Sequence, residues 1–185
     1  MYGFGAHTLC LHGPAASQNL ATAGTPVCVT VTVADGLVLA RPVSGHSVNY
    51  RNAMIYGLPR VVTGPGEKLA GLRCITEHVA PGEWDYARRP SRKELAATRL
   101  LALPLAEASV KIRTSPPDDG HSPDAALGRS AGELPLATTW QRRVPDPSPP
   151  PGIPCPRTSA PAPAPGPTGK RPAVASVLTA YPPSR

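Results

Sequence analysis

The stretch PVCVTVTVADGLVLARP, residues 26–42, constrains the fold more than any other. Val27, Val29, Val31 and Val33 alternate with Cys28, Thr30 and Thr32. A period of two in β-branched residues is the mark of a strand with one buried face. Asp35-Gly36 is a residue pair that suits a two-residue turn, so Leu37–Arg41 reads as a return strand in a tight hairpin. Strands joined this tightly run antiparallel.

The remaining segments extend that pattern. His7–His12 alternates as a short strand and is broken by Gly13-Pro14. Ala15–Ala23 reads as a short helix closed by Gly24 and Pro26. Arg51–Thr63 reads as extended, interrupted by Gly57 and Pro59. In Glu67–Val79, the apolar residues Leu69, Leu72, Ile75 and Val79 fall near helical spacing. Ser91 with Glu94 three residues later is a capping-box signature for another short helix. Arg99–Leu105 and Ala108–Thr114 read as two more strands around Glu107. The expectation is a mainly β (α+β) fold, with an antiparallel sheet closed toward a barrel and helices at its periphery.

Composition divides the chain. It has 185 residues and 26 Pro, and 14 of those Pro lie in residues 145–185. Residues 142–185 carry six Lys/Arg and one acid, whereas residues 1–141 carry 13 and 11. The basic pI therefore describes the tail, and a nearly balanced body without interleaved aromatics does not favour nucleic acid. We expect three parts: a barrel domain over 1–115, an irregular closing segment over 116–144, and a basic Pro-rich disordered tail over 145–185. The tail reads as a solvated spacer, with a role as an interaction segment as the alternative.

Several chemistries find no support. Cys10, Cys28, Cys74 and Cys155 are far apart and show no metal-ligand spacing, so they read as small buried thiols, and neither a disulfide nor a metal site is the expectation. No signal-peptide pattern or membrane-length apolar run is present, and a reduced cytoplasmic setting with no membrane partner is the expectation. There is no GxSxG, HExxH or GxxxxGK. Asp118-Asp119 reads as a solvated acidic pair in a loop, and His78 as a cation favoured by a helix C-terminus.

One stretch does point to a site. GHSVNYRNAMIYG, residues 45–57, places His46, Ser47, Asn49, Tyr50 and Arg51 at the mouth of an apolar strand. Such a cluster suits a polar ligand with a flat body. HTLCLHGPAAS, PVCVTVTVADGLVLAR, HSVNYRNAMIYG, EKLAGLRCITEHVAPGEWD, KELAATRLLALPLAEASVKIRT and PDPSPPPGIP follow in order. Together they resemble the pyridoxamine 5′-phosphate oxidase-like family, in its flavin-nucleotide-binding branch related to nitroimidazole-resistance proteins. HSxNYR and the later KxRT are the most specific pieces.

The resemblance implies a split β-barrel that binds FMN, or F420 as in related barrels, at the interface of a homodimer. It implies a redox reaction on a small molecule without a protein nucleophile. By the same resemblance, Ser47 and Asn49 bond the flavin edge or ribityl chain. Arg51 faces the phosphate or a partner-subunit acid, and His46 and Tyr50 are the candidate proton donors. The phosphate end falls on the segment with His12, Ser17 and Gln18, where relatives follow the Ser with Arg or Lys. Lys111 or Arg113 would then supply the missing cation.

The chain departs from the family pattern in three ways. It begins partway into the pattern, which raises the expectation of a barrel incomplete at its N-terminus. Ser130 stands where a Trp is usual, and DDGHSPDAALG replaces an acidic, aromatic-containing run. The alternative reading is a non-catalytic or degenerate flavin-binding protein.

Overall fold

Eight strands and three helices make up the computed structural model, which describes residues 1–17, 24–141, 143–148 and Gly152. The strands are β1 (Tyr2–Phe4), β2 (Thr8–Pro14), β3 (Val27–Leu39), β4 (Ser47–Gly57), β5 (Arg60–Val61), β6 (Thr98–Pro104), β7 (Glu107–Arg113) and β8 (Gly132–Pro135). The helices are α1 (Pro65–Val79), α2 (Glu83–Tyr86) and α3 (Arg92–Ala97). The first sheet has the order β1-β2-β6-β5 and the second β7-β4-β3-β8. Every pairing is antiparallel. The β-rich, antiparallel reading of the sequence holds.

Alternation assigns each strand's faces. Leu9 and Leu11 of β2, Leu101 and Leu103 of β6, Val27 and Val29 of β3 and Ile55 of β4 meet in one buried cluster between the sheets. Cys10, Leu100, Ala102 and Val62 point the other way and pack with Ile75 of α1. Strand β6 is thus covered on both sides, which is why its LLAL run is apolar without alternation. The layers run second sheet, first sheet, α1.

The expected hairpin at Asp35-Gly36 does not form. β3 is one strand of 13 residues, and its pairing with β4 slips between Ala34 and Gly36. Asp35 is the extra residue of a β-bulge. The bulge switches which parity faces inward: Val27, Val29 and Val33 before it, Gly36, Val38 and Ala40 after it. Gly36 is needed for space, not for a left-handed turn. A Cβ there would lie 2.9 Å from Glu133 Oε1 and from the Leu134 carbonyl of β8. The proposed helix over Ala15–Ala23 shows only a turn at Ala15-Ala16, and residues 18–23 lie outside the described residues. Within 116–144, read as irregular, Gly132–Pro135 pairs with β3 as β8.

Helical expectations fare better. α1 spans the predicted segment, and Ser91 and Glu94 make the reciprocal capping box of α3. Lys68 Nζ donates to the carbonyls of Leu95 and Thr98 at 3.0 and 2.9 Å, tying α1 to the end of α3. His78 corrects the helix-dipole reading. Its ring packs on Tyr2 and Phe4 at 4.9 and 5.6 Å between centroids. Burial pushes its imidazole below the ordinary value of 6.5, which favours the neutral form over a cation at the helix end.

Two expectations follow. A Cβ on Gly3 would sit 2.7 Å from the Cys74 carbonyl and from the Ile75 backbone, which cannot rotate away. Gly3→Ala should therefore lower stability by about 1–3 kcal/mol in a denaturant titration. Gly66→Ala, with open space around it, should be neutral or stabilising. For His78, the unfolded chain binds the proton more tightly than the fold does. Stability from this group is present above pH 6.5 and lost as pH falls toward the depressed folded value. His78→Phe, which keeps the ring, should flatten part of the fall in melting temperature between neutral and mildly acidic pH.

A polar cluster at one end of the second sheet: candidate cofactor site

Ser47, Asn49, Tyr50 and Arg51 of HSVNYR lie within β4, which begins at Ser47 and not at Arg51, and His46 precedes it. Ser47, Asn49, Arg51, Ala53 and Ile55 alternate onto the face that turns toward the first sheet. Ile55 is covered by that sheet. Asn49 and Arg51 lie farther along β4, opposite Gly36 and Val33, where the bulge interrupts β3.

Asp35 projects from the bulge into this end and is 3% exposed. Its carboxylate accepts two hydrogen bonds from Arg51, from Nε at 3.0 Å and from Nη2 at 2.9 Å. Bidentate pairing to a planar guanidinium is the geometry that makes a buried carboxylate tolerable. Arg51 thus commits two of its five donors to an acid of its own chain. That acid was not singled out in the sequence, where Asp35 reads as a turn residue.

Asn49 is 1% exposed. Its Oδ1 accepts from Arg113 Nη1 at 3.0 Å. Because a guanidinium only donates, this contact fixes which end of the amide is oxygen. The other end, Nδ2, is buried with no hydrogen-bond partner among the described residues. Leaving such a donor unsatisfied costs about 1–3 kcal/mol, so native structures seldom keep one without a use.

The cluster is closed by the turn before β4. His46 Nδ1 accepts from the Ala40 N–H at 3.1 Å, which fixes the ring as a turn-holding acceptor. Arg41 donates to Asp119 through its backbone N–H at 2.6 Å and through Nη1 at 2.8 Å, and its Nε donates to the Arg129 carbonyl at 3.1 Å. Asp119 is therefore a buried anchor and not the solvated acid expected from its loop. It pins the 115–131 segment beside the site. Only its burial reveals this, and no local sequence signal does.

The other predicted residues divide. Tyr50, which pairs with Arg113, and exposed Lys111, which pairs with Asn52, lie by the same alternation on the opposite face of the sheet from the cluster at Asn49, while the Arg113 guanidinium meets Asn49 Oδ1. His12 and Ser17 do not join it. His12 lies on β2 opposite Leu100, on the parity that faces away from the second sheet. Burial, then the nearby N-terminal amine, push its imidazole below the usual range. The Ser17 N–H closes a turn on the Pro14 carbonyl at 2.9 Å. Gln18 lies outside the described residues. No group of three or more His, Cys, Asp or Glu able to hold a metal occurs among the described residues.

Comparison with known proteins decides the family. The family model for pyridoxamine 5′-phosphate oxidase matches residues 1–112. The chain belongs to that family. Two solved structures share its fold over 84% of its length. One is the flavocytochrome Anf3 from Azotobacter vinelandii, 32% identical with a TM-score of 0.77, of which 73% is covered. The other is the FAD and haem binding protein from Mycobacterium smegmatis, 36% identical with a TM-score of 0.78, of which 77% is covered. No curated protein matches. Among the described residues, no helix is long and apolar enough to cross a membrane.

Truncation separates the two ends of the amide. Arg113→Ala leaves buried Asn49 Oδ1 without its donor and should cost about 1–3 kcal/mol. Asn49→Leu removes the unpartnered group and should leave stability unchanged or higher, since an apolar isostere needs no partner there. Thermal unfolding of the two variants beside the parent protein checks both.

Proposed function

We propose that this protein is a split-barrel flavoprotein. In this reading it holds FMN at the Asn49 end of the second sheet, across a homodimer interface, and serves as an oxidoreductase for a small molecule. The observation that carries the reading is the buried, unpartnered Asn49 Nδ2. It is a donor set beside the half-buried guanidinium of Arg113, which already meets the other end of the same amide. A flavin offers carbonyl and ring-nitrogen acceptors and an anionic phosphate, so the donor set fits the group. The family match and two flavin-named neighbours support the same class of ligand.

When bound, the flavin supplies hydride transfer at its N5. This chain's part is to bind and orient. Asn49 would donate to a flavin acceptor, with Arg113 fixing the amide's direction. Arg113 would balance phosphate charge, whereas Lys111 stands on the other face of the sheet beside Asn52. Arg51 would act indirectly, holding the bulge through Asp35. His46 would border the substrate side, and Ser47, which shares the Asn49 face of β4, would add a hydroxyl there.

The exposed apolar side of β7 supports the homodimer. Val110 and Ile112 pair with Ala53 and Arg51 and share their face, yet are 69% and 60% exposed. Apolar side chains of this size on an open β face mark an interface, and a second copy brings the matching surface.

A second reading adds haem. It is favoured by the two neighbours named for haem as well as flavin over 84% of this chain. The near-ultraviolet and visible absorbance spectrum of the purified protein, alone and titrated with FMN, FAD or haem, tests both readings. A retained or induced, shifted flavin band is expected. Asn49→Ala should weaken FMN by about tenfold, the equivalent of one lost hydrogen bond. No band with any of the three would reject the proposal. Val110→Lys with Ile112→Lys should give a monomer in light scattering with weakened flavin, whereas a parent protein that is already monomeric would remove the dimer from it.

A further inference from the structure

The opposite side of the first sheet holds a feature that flavin binding does not use. Cys10 of β2 and Cys74 of α1 line one cavity of about 170 Å³ between the sheet and the helix. Cys10 is buried and Cys74 is half-buried. The two elements approach closely at this level. Gly3, the β-ladder partner of Cys10, sits so near α1 that a Cβ would lie 2.7 Å from the Cys74 carbonyl. Burial first, then the neighbouring Cys10 thiol, push the Cys74 thiol up. Both are free in this structure.

We propose that Cys10 and Cys74 form a peroxide-responsive dithiol that closes to a disulfide, linking β2 to α1. The half-buried member, Cys74, is reached first. Its thiolate attacks one oxygen of hydrogen peroxide, the O–O bond breaks, and a sulfenic acid and water result. The Cys10 thiol then attacks that sulfur, the S–O bond breaks, the S–S bond forms, and a second water leaves. Two thiols are oxidised and one peroxide is reduced to two waters. The bridge closes the long loop from residue 10 to residue 74, which restrains the unfolded chain.

The test uses the full chain, reduced and then exposed to hydrogen peroxide. Free thiols are blocked with an alkylating agent, and peptides are mapped without reduction. A peptide pair joining Cys10 to Cys74, lighter by two hydrogens, is expected, with Cys28 and Cys155 alkylated. The oxidised protein should melt several degrees higher and return to the starting value with dithiothreitol. In Cys10→Ser, a sulfenic acid should be trapped at Cys74 by dimedone. Full alkylation of Cys10 and Cys74 after peroxide would overturn the proposal, as would a link through Cys28 or Cys155. The mapping on the unmodified sequence needs no variant, so a misfolded Cys10→Ser does not rescue or sink the idea.

Discussion

A carboxylate at a β-bulge organises the second sheet. Without an extra residue at position 35, the thirteen-residue β3 would keep one parity inward along its whole length. Either Val27–Val33 or Val38 and Ala40 would then face solvent. The bulge resolves this by changing parity once, and it places an acid where the ladder is interrupted. Asp35 is tolerable there because Arg51, directly beside the slip on β4, grips it with two donors. That grip orients the end of β4 that carries Asn49. The site's geometry therefore rests on an ion pair that need never touch a ligand.

This interaction shows why the sequence was partly legible. Elements carried by periodicity were readable: the valine alternation of β3, the α1 stripe and the Ser91–Glu94 box all rest on nearest neighbours in the chain. The Asp35-Gly36 pair has the local chemistry of a turn, but tertiary demand overrode it. The valines on both sides of it need cover from the same sheet, and β8 needs a residue without Cβ at position 36. Asp119 failed for the same reason. Its loop context suggests solvation, whereas its partner Arg41 is 78 residues away. His78 sits where a helix dipole would welcome a cation, but β1, far off in sequence, supplies aromatic cover that favours the neutral ring. In each case the deciding contact is long-range.

The candidate site was legible as a segment more than as roles. HSVNYR does converge at one end of a sheet, and Arg113 of the late strand joins it. Arg51 was weighed against phosphate or a partner-subunit acid, and two of its donors meet Asp35 of its own chain. His46 was weighed as a substrate contact, and it also holds the turn. Asn49 gained weight, because burial with one satisfied and one unsatisfied end is visible only once the strands are paired. His12, read with the phosphate end, sits on the other side of the first sheet.

Two features of the second sheet belong together. A buried donor without an acceptor and an open apolar strip on β7 are each unfavourable for an isolated chain. They lie on one face, within a few ladder positions: Asn49 beside Arg51, and Arg51 paired with Ile112. A second copy laid on Val110 and Ile112 would turn the open edge beside Asn49 into a walled cleft and lower its dielectric. Hydrogen bonds and charge contacts to a ligand strengthen in such a cleft. Cover for the strip and an acceptor for the amide would thus arrive through one event, dimerisation around a cofactor. The Cys10–Cys74 pair lies beyond the first sheet, so oxidation there would stiffen the α1 side while leaving this cleft's residues in place.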